Sequence, residues 1–125
     1  MRRVTGIGGV FFKAKDPDAL YKWYERHLGI RANPDGSGVW FKWKDDRDGD
    51  GMTVLAIFKA ESNYFDPSPA PFMLNFRVDN LDALLAALDK EGVVIDPKRE
   101  NYDFGKFAWI YDPEGNKIEL WEPGD

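Results

Sequence analysis

Residues 10–29 read VFFKAKDPDALYKWYERHLG and residues 74–92 read LNFRVDNLDALLAALDKEG. Displaced by 64 positions, Phe12 falls on Phe76, Lys13 on Arg77, Asp16 on Asn80, Asp18 on Asp82, Ala19 on Ala83 and Leu20 on Leu84. One residue of slippage then brings Gly29 onto Gly92. Each copy reads as a strand, a capping residue and a helix. A unit used twice in a chain this short predicts two small modules fused into one domain. A site at the axis between such modules is built from paired positions, and the residues that occupy those positions can be read directly.

Working outward, Ile7–Lys15 alternates and is rich in Val and Phe, which predicts a strand. Asp16 is placed to cap a helix whose first turn holds Pro17, where a missing N–H costs nothing. Leu20, Trp23, Tyr24 and Leu28 have helical spacing, and Gly29 reads as the stop. Val39–Lys44 and Met52–Lys59 read as strands joined by the charged, Gly-rich DDRDGDG. Ser62–Pro71 carries three prolines and reads as a linker. In the second copy, Phe72–Val78 is a strand, Asn80 caps a helix with Leu81, Leu84, Leu85 and Leu88 on one face, and Gly92 stops it. Val93–Ile95 reads as a short strand, and Phe107–Tyr111 and Lys117–Trp121 as a hairpin around DPEGN. The expectation is an α+β chain of two βαβββ modules, at about 5–60 and 72–123, joined by residues 62–71 within one domain over 1–125.

Composition narrows the function classes. The 125 residues are 43% hydrophobic and 31% charged, ordinary for a globular domain with a core. The net charge of −5 argues against nucleic acid, which needs a basic face. There is no cysteine, hence no disulfide and no thiolate chemistry. No apolar run approaches the roughly 20 residues that span a bilayer. The start, MRRVTGIGGVFF, is cut short by Lys13 and shows no cleavage pattern, so a cytoplasmic protein is expected. Five Trp, five Tyr and nine Phe exceed what a small core consumes, which leaves rings for a cavity or an interface.

The opening GGVFFKAKDPDALYKWYERHLGI, the closing FAWIYDPEGNKIELWEP and the order βαβββ twice resemble the glyoxalase/bleomycin-resistance/dioxygenase family, the vicinal oxygen chelate superfamily. The middle, FKAESNYFDPSPAPFMLNFRVDNLDALLAAL, looks like an uncharacterised bacterial branch of it. The resemblance covers nearly the whole chain. It implies that each module curls its sheet into an open half-barrel, that two modules enclose a cavity, and that the protein forms a homodimer, as many members do. Metal-dependent members place one ligand near the start of the first strand of each module and one on the last strand of each, commonly His, His or Gln, and Glu. The matching positions here are Gly9, Met73, Glu119 and, within a residue or two, Leu55. One carboxylate is not a transition-metal site, so neither a metal nor another cofactor is expected.

Other motifs read as structural. His27 stands at a helix end, where a cation suits the dipole. The segment 46–51 imitates the start of a calcium loop, but the closing bidentate Glu is replaced by Ile57, and a solvated turn is expected. Gly9, Phe11, Thr53, Leu55, Ile57, Met73, Asn75, Glu119 and Trp121 are expected on the concave face, with Phe41, Trp43, Phe107 and Trp109 beside them. Tyr64, Phe65, Tyr102 and Phe104 are expected in loops over its mouth. The reading is a metal-free protein that binds a hydrophobic or aromatic small molecule through Gly9, Phe11, Leu55, Met73, Asn75, Trp109, Glu119 and Trp121. The alternative is a lyase, isomerase or dioxygenase, either metal-dependent or cofactor-free with Glu119 as the catalytic group.

Overall fold

The computed structural model describes residues 3–43 and 51–124. The elements are β1 (Val4–Ala14), α1 (Pro17–Leu28), β2 (Val39–Lys42), β3 (Met52–Lys59), β4 (Phe72–Val78), α2 (Leu81–Lys90), β5 (Val94–Tyr102), β6 (Gly105–Tyr111) and β7 (Lys117–Pro123). Among the described residues the strands form one open, seven-stranded sheet in the order β2-β3-β1-β4-β7-β6-β5. The α+β architecture of the sequence reading is the one observed. The calcium-like residues 46–50 lie outside the described residues. No helix among the described residues is long and apolar enough to cross a membrane.

Both helices start as their sequences dictate. Asp16 Oδ1 accepts from the Ala19 amide at 3.1 Å and Asn80 Oδ1 from the Ala83 amide at 3.0 Å, each satisfying a free first-turn N–H. Gly29 ends α1 in the left-handed region at φ 69°, which a side chain would resist.

The repeat becomes geometry where β1 meets β4. These strands pair antiparallel, with Gly9 against Asn75, Val10 against Leu74 and Phe11 against Met73. Val10 and Leu74 are themselves 64 positions apart, so the local two-fold axis passes between them. On either side β3 joins β1 and β7 joins β4, both parallel. Val10 lies beside Leu55 and Leu74 beside Ile118, so by these strands the offset has fallen to 63. The symmetry is incomplete at the edges. The first half contributes three strands and the second four, because residues 30–38 form turns and bends with no strand equivalent to β5. That edge strand runs well past Ile95. Pro97 sits where the β5–β6 register shifts, between Ile95 and Arg99, so the ladder does not need its missing N–H.

Two apolar clusters lie on opposite faces of the sheet. Val78, Leu81, Leu84, Leu85, Ala108 and Leu120 form the core beneath α2. Phe11, Phe65, Met73 and Trp109 form the other, on the concave side, where Phe65 arrives from the turns between β3 and β4. α1 buries none of its residues; Leu28 is 60% exposed. The two helices therefore carry unequal shares of stability. Leu81→Ala is expected to cost about 2–5 kcal/mol in urea unfolding, whereas Leu28→Ala should stay within about 0.5 kcal/mol.

Candidate functional site

Strand alternation builds the site. On β7, Ile118 and Leu120 pack towards α2, which turns Lys117, Glu119 and Trp121 to the concave face. Glu119 lies in the ladder between Asn75 of β4 and Trp109 of β6. Those two neighbours hold its carboxylate: Asn75 Nδ2 donates to Oε1 at 2.6 Å and Trp109 Nε1 to Oε2 at 3.0 Å. The Tyr64 hydroxyl, delivered by the segment before β4, donates to Oε2 at 2.5 Å.

Glu119 is 2% exposed. Burial raises its pKa above the ordinary value, and the nearby Glu100 charge adds to this; the bonds from Tyr64, Asn75 and Trp109 pull the other way. Burial and the Glu119 charge also push the Tyr64 phenol well above its usual range, so it stays a donor. Lys117 supports the arrangement from behind. Its Nζ donates to the Tyr64 carbonyl at 3.0 Å and lies over the Tyr64 and Trp109 rings, with its pKa lowered by burial.

Glycine makes room for the amide. The β1–β4 register shifts between Ile7 and Gly9, which leaves Gly8 facing Asn75. A Cβ at Gly8 would come within 2.0 Å of Asn75 Oδ1 and 3.1 Å of Trp121 Cε3. Any side chain there would displace the residue that binds Glu119. Further along the face the Arg77 guanidinium lies between the Trp43 and Trp121 rings, at 5.4 and 5.3 Å, and Trp121 stacks in turn on Phe107.

Above this floor opens a cavity of about 890 Å³. Phe11, Phe58, Tyr64, Phe107 and Trp121 give it aromatic walls, with Asn75 and Glu119 at the base. Trp40, Tyr102 and Phe104 also line it and remain partly exposed.

Of the residues expected to bind a ligand, Phe11, Asn75, Glu119 and Trp121 line this cavity. Met73 and Trp109 are buried beneath it, and Trp109 reaches the site only through its indole N–H. Two positions need correction. Gly9 does not face open space: a Cβ there would meet Phe11 Cε1 at 2.7 Å and Val54 O at 3.0 Å, and Gly8 lines the cavity instead. Leu55 is on the other face. Val54, Ala56 and Phe58 pack into the concave cluster, so alternation turns Leu55 between them away from it. The counterpart of Glu119 beside β1 is Ala56, because the single-residue slippage has already occurred by β3. Tyr64 is the contributor that sequence reasoning placed only over the mouth. No local pattern ties it to a carboxylate 55 positions away.

The four family ligand positions therefore hold Gly9, Ala56, Met73 and Glu119. Among the described residues no group of three His, Cys, Asp or Glu side chains converges. Both Glu119 oxygens already accept from N–H or O–H groups, which leaves the carboxylate few lone pairs for direct coordination of a metal ion. These residues do not fit a transition-metal ion, which needs about three or four N, O or S donors.

Comparison with known proteins agrees with the fold. The model of the Glyoxalase/Bleomycin resistance protein/Dioxygenase superfamily matches residues 6–120, and the chain belongs to that superfamily. Solved structures share the architecture at low identity. Methylmalonyl-CoA epimerase from Mycobacterium tuberculosis is 23% identical with a TM-score of 0.67, over 100% of this chain and 92% of that one. A Q60A form of the Streptomyces coelicolor methylmalonyl-CoA epimerase, in complex with 2-nitronate-propionyl-CoA, is 15% identical with a TM-score of 0.70, over 98% and 99%. A chain from Legionella pneumophila described as NAD-dependent benzaldehyde dehydrogenase is 18% identical with a TM-score of 0.60, over 92% and 97%. No curated protein matches.

The raised pKa of Glu119 makes stability depend on pH. The contribution of its neutral form is complete below the ordinary value of 4.5 and is lost as pH rises through the raised value. Urea unfolding of the wild type and Glu119→Gln across this interval should show the variant gaining relative stability as pH rises. The opposite trend would mean that the three hydrogen bonds outweigh burial.

Proposed function

We propose that this chain is a metal-free binding protein that holds a small molecule with a flat, apolar body in its concave cavity. The observation that carries the reading is the cavity itself. Its volume falls within the roughly 300–1,000 Å³ of small-molecule sites, its walls are aromatic, and its few polar groups converge at one end. Gly8 and Ala56 keep the space over the carboxylate free of side chains. The likeness to the epimerases rests on the fold and brings no substrate with it.

A hydrophobic aromatic compound should quench tryptophan fluorescence, because Trp40 and Trp121 line the cavity. At a hundredfold excess over its dissociation constant, a ligand of the native state alone stabilises by about 2.7 kcal/mol. Val54→Trp, which fills the cavity from β3, should abolish both signals while circular dichroism remains that of the folded protein. Retention of both signals in this variant would place binding elsewhere.

The reading includes a homodimer. The convex side of the sheet at the pseudo-two-fold is bare: Ile7, Val10, Phe72 and Leu74 lie between the two helices and are 42%, 38%, 45% and 36% exposed. Monomers seldom leave so continuous an apolar strip uncovered. Light scattering is expected to give twice the 14.3 kDa chain mass, and Val10→Asp should return the protein to monomer.

A further inference from the structure

The charges that face the cavity are unbalanced. Among the described residues, Glu61, Glu100 and Glu119 line it against one ammonium group, that of Lys59. Glu119 lies deepest, and the three groups bonded to it are all neutral. Three further cations stand near the cavity but outside its lining, and the charge of Lys117 acts on Glu119. Lys117 Nζ is bonded to the Tyr64 carbonyl, Arg77 is held between two indoles, and Lys98 pairs with Glu100 at 3.1 Å. None of the three lines the cavity. With the Lys98–Glu100 pair set aside, Glu61 and Glu119 still outnumber Lys59 among the described lining residues.

The aromatic walls act with the same sign. Phe58 stacks with Tyr64 at 5.4 Å, Tyr102 with Phe104 at 4.8 Å and Phe107 with Trp121 at 6.2 Å. The face of an aromatic ring carries the negative part of its quadrupole and attracts a cation. Tyr102 and Phe104 are 49% and 64% exposed on the open side of the cavity, so such faces are available to an entering molecule.

We infer that the ligand is an organic cation, an aromatic or hydrophobic amine or quaternary ammonium ion, with its charged end towards Glu119 and its body against the rings. The inference rests on the small-molecule reading of the same cavity and narrows it. Ligands carrying phosphate or carboxylate are disfavoured by the same carboxylates that favour a cation.

Three probes with one ring system test the charge: (2-naphthylmethyl)trimethylammonium, 2-naphthylmethanol and 2-naphthylacetate, each titrated by calorimetry at low and high salt. The ammonium ion is expected to bind about tenfold tighter than the alcohol, and the acetate weakest. High salt should narrow the gap. Glu119→Gln should remove most of the preference of the ammonium ion over the alcohol. Glu61→Gln, at a cavity-lining residue away from the hydrogen-bonded floor, should reduce it more modestly, and keeps the test open if the Glu119 variant fails to fold. Alcohol binding equal to or tighter than the ammonium ion would overturn the cation inference and leave the binding reading standing. Failure of all three to bind would overturn both.

Discussion

The antiparallel pairing of β1 with β4 is the contact on which the rest of this structure depends. It joins the two halves, and its register decides which side chains face the cavity. Val10 against Leu74 sets Gly9 beside Asn75, and the parallel pairing of β4 with β7 then sets Asn75 beside Glu119. A slip of one residue between β4 and β7 would turn Glu119 into the apolar layer under α2. The hydrophobic content of that layer makes such a slip costly, so the core on one face enforces the polar geometry on the other.

The site is a buried acid held by neutral groups. Removing a carboxylate from water is expensive, and proteins usually answer with a cation or a metal ion. Here the answer is two ladder neighbours and one tyrosine, with Gly8 leaving room for the amide that makes one of the bonds. This places the chain at a distance from the metal-binding use of the same fold. A superfamily fold provides the half-barrel; the residues at Gly9, Ala56, Met73 and Glu119 decide what is done with it. Where donors would converge on an ion, this chain has space, a thioether beneath the floor, and rings.

The two helices show how unevenly a duplicated unit can be used. α2 buries three leucines in the core and packs a fourth against it, whereas α1 rests on β1 and β3 without burying a residue. The second half is the more completely packed part, and it supplies the acid, its indole partner and its amide partner. The first half supplies mainly walls.

Much of this was legible along the chain because it depends on local rules. Asp16 and Asn80 cap helices by reaching three residues ahead, Gly29 stops one by backbone freedom, and alternation in KIELWEP assigns Glu119 to the face opposite Leu120. The repeat at 64 positions even carried the symmetry of the central strand pair. What sequence could not decide was anything that turns on a single residue of register or on contact between distant segments. The slippage before β3 exchanged Leu55 for Ala56, since a period of two makes an error of one a change of face. The register shift beside Gly9 gave its neighbour Gly8 the close approach to Asn75. Tyr64 meets Glu119 only because the segment between the modules folds back over the sheet, where Phe65 is buried in the concave cluster. Local propensity is written in neighbouring residues, whereas these three features are set by packing between parts of the chain that have no local pattern in common.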